Sequence, residues 1–120
     1  MKLCLDVGHL AVAGSDALEV ARRADGRIGH VHLKDVDAGL AERVRAREIG
    51  YHEAVRAGLY RPLGQGASRI REIVTLLEAN GYTGWYVLEQ DVVLSAEPPA
   101  GAGPVLDVER SLAFLSALGA

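Results

Sequence analysis

Three short apolar segments constrain this chain most, because each ends in groups that bind metals or move protons. They read Leu3-Cys4-Leu5-Asp6-Val7-Gly8-His9, Ile28-Gly29-His30-Val31-His32-Leu33-Lys34-Asp35 and Trp85-Tyr86-Val87-Leu88-Glu89-Gln90. Helix-like segments separate them. The order reads strand (2–6), helix (16–24), strand (28–33), a long connection, helix (68–79), strand (85–89), loop, helix (107–118). Such alternation predicts an α/β fold with parallel strands joined by right-handed crossovers.

Local signals agree with these boundaries. Asp16, with Glu19 three residues on, is expected to cap the first helix. Ser68 is expected to cap the second, whose Ile70, Ile73, Val74 and Leu77 form one apolar stripe that Asn80-Gly81 ends. Asp107 is the expected cap of the last helix. The stretch from Val36 to Gly66 is far longer than the roughly 2–6 residues usual between strand and helix. It should contain short helices and sit over the strand C-termini near His9 and Lys34, as a lid or substrate contact. Its length and its arginines, including Arg43, Arg56 and Arg61, motivate that expectation.

Side-chain parity gives the sharpest test of function. Successive strand residues point to opposite faces. His30, His32 and Lys34 therefore share one face, against Val31 and Leu33. Cys4 and Asp6 oppose Leu3, Leu5 and Val7, and Val87 and Glu89 oppose Tyr86 and Leu88. Each strand has an aliphatic face suited to a helix layer and a face ending in polar groups, where parallel sheets bind ligands. Asp6, His32 and Glu89 together make a mixed oxygen and nitrogen donor set. It suits Mn²⁺, Co²⁺, Fe²⁺, Mg²⁺ or Zn²⁺, and without thiolates it argues against a structural zinc site. Taken singly, each has an ordinary reading: a capping Asp, a core or surface His, a solvated Glu. Their coincidence in type, parity and strand position favours a metal.

The neighbouring groups stay open. His9 is a loop histidine, a substrate contact, a group orienting a ligand, or an extra ligand. Lys34 either faces a substrate oxygen or is a solvated lysine. His30 is expected as a buried core histidine, Cys4 as a small interior hydrophobe, and Asp35 as a cap or an orienting carboxylate.

Composition narrows the classes. With 49% hydrophobic and 24% charged residues, 120 residues read as one globular domain, spanning 1–120. A net charge of -3 gives no general attraction to nucleic acid or to anionic membranes. No apolar run approaches the roughly 20 residues of a membrane span. The single cysteine excludes an internal disulfide and, with no signal-peptide pattern at the N-terminus, predicts a cytoplasmic location.

Asp6-Val7-Gly8-His9, His32-Leu33-Lys34-Asp35 and Leu88-Glu89-Gln90, in that order, resemble the C-terminal part of the xylose-isomerase-like TIM barrels. Within that superfamily the match is most similar to the inosose dehydratases of inositol catabolism, over Arg27–Asp35, Arg61–Gly64 and Gly84–Asp91. The resemblance implies Asp6, His32 and Glu89 as metal ligands, with Mn²⁺ or Co²⁺ the favoured ion. It implies His9 and Lys34 at a small polyol or keto-sugar substrate, and dehydration of a keto-inositol. Glu89 would be ligand and proton carrier, His9 or Lys34 would assist the leaving group, and the base stays unassigned. A ketose isomerase or epimerase of the same superfamily, or a non-catalytic barrel piece, are the alternatives. The family's fourth ligand, a Glu on a preceding strand, has no counterpart here. The expected architecture is therefore about three β/α units of a (β/α)8 barrel, a fragment whose exposed edges invite self-association.

Overall fold

The computed structural model describes residues 1–119. Its main sheet holds three parallel strands, β1 (Leu3–Asp6), β2 (Ile28–Leu33) and β5 (Tyr86–Leu88), in the order β1-β2-β5. The register pairs Asp6 with His32 and Leu33 with Leu88, so the strand C-termini end level with one another. Two crossovers carry helices α2 (Ala17–Arg23) and α5 (Ile70–Ala79), which pack on each other and on the aliphatic face of the sheet. Leu5, Val7, Val31 and Leu33 are buried there against Leu18, Ile70, Ile73, Val74 and Leu77. At about 1.5–3 kcal/mol for each large aliphatic side chain, this layer is the main source of stability. The other face of β2, with His30 and His32, is only half buried. Parity therefore separates the two faces of β2 as expected, whereas Leu3 at the start of β1 is exposed and Tyr86–Leu88 of β5 are all half buried.

The end signals acted unevenly. Asp16 caps α2 by accepting from the N–H of Leu18 and Glu19, while the Glu19 carboxylate turns to Arg23 instead of completing a capping box. Asn80 and Gly81 (φ 77°) end α5 as expected. Ser68 does not cap α5. The residue at that place is Arg69 in a left-handed conformation (φ 59°), and the Ser68 hydroxyl is buried without a partner. Asp107 does not cap the last helix either. That helix, α6 (Pro104–Ala117), begins one turn earlier because Pro104 is pre-shaped for the first helical turn, and Asp107 lies inside it, bonded to Arg110. Cys4 is exposed rather than interior, since β1 has no neighbour on its outer side among the described residues. His30 is half buried and meets His32 edge-on, with ring centroids 5.0 Å apart.

The long connection forms the expected short helices, α3 (Ala38–Arg45) and α4 (Tyr51–Arg56). It also forms an antiparallel ribbon of β3 (Asp35–Val36) and β4 (Tyr60–Arg61), which the sequence reading did not foresee. Val36, Ala41, Ala54, Leu59 and Tyr60 give this unit a small core of its own. It stands at the strand C-terminal end, packed beside helix α1 (Val7–Val12), to which Arg45 bonds through the carbonyls of Ala11 and Val12. Arg43, Arg56 and Arg61 do not serve the strand ends. They pair with Glu48, His52 and Asp37 within the unit.

Candidate metal centre at the strand C-termini

Asp6, His32 and Glu89 converge. Each offers a donor atom, and these atoms lie within 4.8 Å of one another. His32 Nδ1 stands between the carboxylates, 3.6 Å from Asp6 Oδ2 and 3.2 Å from Glu89 Oε2. The three residues are half buried, enough to hold their side chains and still admit a ligand.

The local backbone explains the arrangement. Asp6 is both the last residue of β1 and the cap of α1, where its Oδ1 accepts the His9 N–H at 2.9 Å. Its Oδ2 is left facing His32 and the His9 ring, whose Nδ1 is 2.9 Å away. A capping Asp and a candidate ligand are thus one residue using its two oxygens separately. With the proton on Nδ1, His9 donates to Asp6 and presents Nε2 to Lys34 Nζ at 3.3 Å. His9 therefore orients Asp6 from an exposed position, and it stands outside the three-residue donor cluster.

Lys34 is not a solvated lysine: its side chain is 3% exposed. Gly8 makes room for the stem, because a Cβ at Gly8 would lie 2.6 Å from Lys34 Cβ and 2.9 Å from its Cδ. Nζ lies 2.7 Å from Asp91 Oδ2, 2.8 Å from Glu89 Oε2 and 3.9 Å from Asp6 Oδ2, and 5.2 Å above the Tyr60 ring. Burial pulls the ammonium's pKa down. The bond to Asp91, the close contact with Glu89 and the Asp6 charge outweigh it, so the pKa ends above the ordinary lysine value. Lys34 is therefore a fixed cation at neutral pH. Burial alone would raise the Glu89 pKa, but Lys34 and His32 together hold it below the usual carboxylate range.

The contact with Glu89 is close but misaligned. Oε2 is buried and accepts no well-directed hydrogen bond, whereas the bond from Lys34 to Asp91 is well formed. Distance alone would pair Lys34 with both; the angles favour Asp91.

Asp35 does something different. It is 1% exposed and its carboxylate accepts the backbone N–H groups of Val36 and Ser68 on Oδ1 and of Gly64 and Gly66 on Oδ2, at 2.9–3.0 Å. Gly66 permits this approach, since a Cβ there would stand 2.5 Å from Asp35 Oδ1. The turn Pro62–Gly66 is thus tied to the end of β2. Tyr60 and Asp91 were missed by sequence reasoning. Asp91 has the parity of Glu89 two residues on, a signal that the end of the strand made easy to discard. Tyr60 reaches Lys34 from the far end of the connection, which no local pattern reveals.

The profile of the xylose isomerase-like TIM barrel family matches residues 1–118. The chain belongs to that family. Over 104 residues it is 38% identical to the inosose dehydratase of Geobacillus thermodenitrificans, covering 87% of this chain and 33% of that protein. The inosose dehydratase of Bacillus anthracis is 33% identical over the same span. The chain thus spans about a third of the length of the relatives it matches. Among solved structures, a D-tagatose 3-epimerase-like protein superposes with a TM-score of 0.62 at 18% identity, covering 98% of this chain and 34% of that one. At that identity the likeness concerns the fold: this member of the xylose isomerase-like family has the architecture of part of a barrel. No helix among the described residues is long and apolar enough to cross a membrane.

Proposed function

We propose that this chain carries a divalent-metal site of an inosose dehydratase, with Asp6, His32 and Glu89 as its protein ligands. The observation that carries the reading is their convergence at the ends of three parallel strands, in a chain 38% identical to an inosose dehydratase. Two features fit a cation. Glu89 Oε2 is buried without a hydrogen-bond partner. Asp6, Glu89 and Asp91 also set three carboxylates against one ammonium, which leaves two formal negative charges. Mn²⁺ or Co²⁺ suits the mixed donor set.

A bound cation would supply Lewis-acid polarisation of a substrate carbonyl and an adjacent hydroxyl. The overall reaction removes the proton alpha to the ketone and expels the neighbouring hydroxyl as water. Lys34, a buried ammonium, donates to a substrate oxygen and offsets charge that develops there. His9 presents Nε2 beside Lys34 at an exposed edge, where it takes or gives a proton.

The polar face of the sheet is open, and a substrate pocket needs walls that exclude water and fix geometry. The expected behaviour of this chain alone is therefore metal binding with weak turnover. The test is Mn²⁺ titration followed by dehydration of a keto-inositol, with a full-length relative in parallel. Saturable binding that is lost in His32→Ala supports the reading. Equal Mn²⁺ binding by wild type and His32→Ala would refute it. Turnover per site equal to the relative's would show that the chain assembles a complete pocket, and sedimentation should then reveal an oligomer.

A further inference from the structure

Lys34 raises a difficulty for any cation at this site. Its ammonium stands 2.8 Å from Glu89 Oε2 and 3.9 Å from Asp6 Oδ2, so it is itself a competitor for two of the three ligands. A lysine stem is long and flexible, and in water an ammonium would settle on whichever carboxylate aligned best. Here it touches Glu89 at ion-pair distance without aligning on it. The well-directed bond runs to Asp91 Oδ2 at 2.7 Å, and Glu89 Oε2 is left unsatisfied although the same Nζ is within reach. The stem cannot swing far, being buried against Gly8. The remaining neighbours do not fix the head group. His9 Nε2 is 3.3 Å away on an exposed side chain, and Tyr60 offers only its ring face at 5.2 Å.

We propose that Asp91 is a positioning residue that takes the directed hydrogen bond of the Lys34 ammonium, so that Lys34 competes less strongly than it otherwise would with a divalent cation for Glu89 Oε2. This rests on the metal reading above. Asp91 stands outside the three-residue donor cluster and acts through Lys34. Its own charge would also attract a cation from a distance, and the experiment must separate the two effects.

A double-mutant cycle does so. Mn²⁺ affinity is measured by the loss of the free-ion electron paramagnetic resonance signal in the wild type, Asp91→Asn, Lys34→Met and the double variant. In Asp91→Asn the ammonium, already 2.8 Å from Glu89, aligns on it, and the dissociation constant should rise about ten-fold, the lower end for loss of a residue that supports a metal ligand. In Lys34→Met no ammonium needs holding, so adding Asp91→Asn should change affinity by no more than about two-fold. Asp91→Glu, which keeps the acceptor, should recover most of the wild-type affinity. Far-UV circular dichroism confirms that each variant folds; Asp91 is only half buried and the Asn replacement is isosteric. An equal effect of Asp91→Asn with and without Lys34 would mean simple charge attraction and overturns the proposal while leaving the metal site intact. A wild type that binds no Mn²⁺ overturns both.

Discussion

Replacing Asp35 tests the physical account most severely, because its carboxylate serves four backbone N–H groups and no side-chain cation. In Asp35→Ala, the donors of Val36 and Ser68 are left in buried positions, while those of Gly64 and Gly66 are partly exposed and can find water. An unsatisfied buried donor costs about 1–3 kcal/mol. Two such donors, with little added for the exposed pair, place the loss at about 2–6 kcal/mol. A domain of this size has roughly 5–15 kcal/mol in all, so the midpoint of urea unfolding should fall steeply. Asp35→Asn keeps one acceptor oxygen but turns its amide toward two donors, and should lose about half as much. Urea denaturation followed by far-UV circular dichroism measures both; Trp85 is too exposed to be a good fluorescent probe. A loss under about 1 kcal/mol for Asp35→Ala would refute the reasoning, since it would mean that the turn holds without its carboxylate.

Other outcomes follow from the same geometry. Gly8→Ala should displace the Lys34 stem at an overpacking cost of about 1–3 kcal/mol, read by thermal unfolding, and should weaken Mn²⁺ binding as well. Ser111→Ala removes the buried hydroxyl that accepts the Leu63 N–H at 3.0 Å and should loosen α6 by about 1–2 kcal/mol in the same assay. The Asp37 pKa is lowered, chiefly by the Leu40 N–H and then by Arg61, against opposing desolvation. Its contribution is therefore present above the ordinary carboxylate pKa and is lost as pH falls through the depressed value. Stability measured down that acid range should fall less in Asp37→Asn than in the wild type, and an unchanged acid slope would count against it.

The sheet and the three candidate ligands were legible because both depend on short-range rules. Parity along Ile28–Lys34 places His32 and Lys34 on the face away from Val31 and Leu33, whatever the rest of the chain does. The apolar stripe of α5 likewise needs no tertiary information. The failures have a common cause. Ser68 and Asp107 have the chemistry of caps, but one sits beside a left-handed Arg69 and the other behind a Pro104 that starts its helix early. Helix α1 escaped notice because it begins directly where β1 ends, with Asp6 ending one and capping the other. The β3–β4 ribbon joins residues 35–36 to 60–61, a pairing over a distance in sequence that no local pattern reports.

The arrangement of Lys34 and Asp35 explains how a mostly separate unit can belong to the site. The two residues are adjacent and point opposite ways, as strand parity demands. Lys34 enters the polar cluster with Glu89 and Asp91, while Asp35 enters the turn at Gly64–Ser68. The connection has its own core of Val36, Ala41, Ala54, Leu59 and Tyr60, and its arginines pair internally, so it owes little to the sheet for stability. What locates it, besides the Arg45 bonds and its packing on α1, is the Asp35 carboxylate, one residue from the site's buried ammonium. Through that link the Tyr60 ring is held over Lys34 Nζ. Loosening the turn at Asp35 should thus free Tyr60 before it disturbs Asp6, His32 or Glu89, whose strands are registered independently of the connection. The candidate metal ligands and the connection are then separable in kind: sheet register sets the first, and the Asp35 carboxylate together with packing on α1 sets the second.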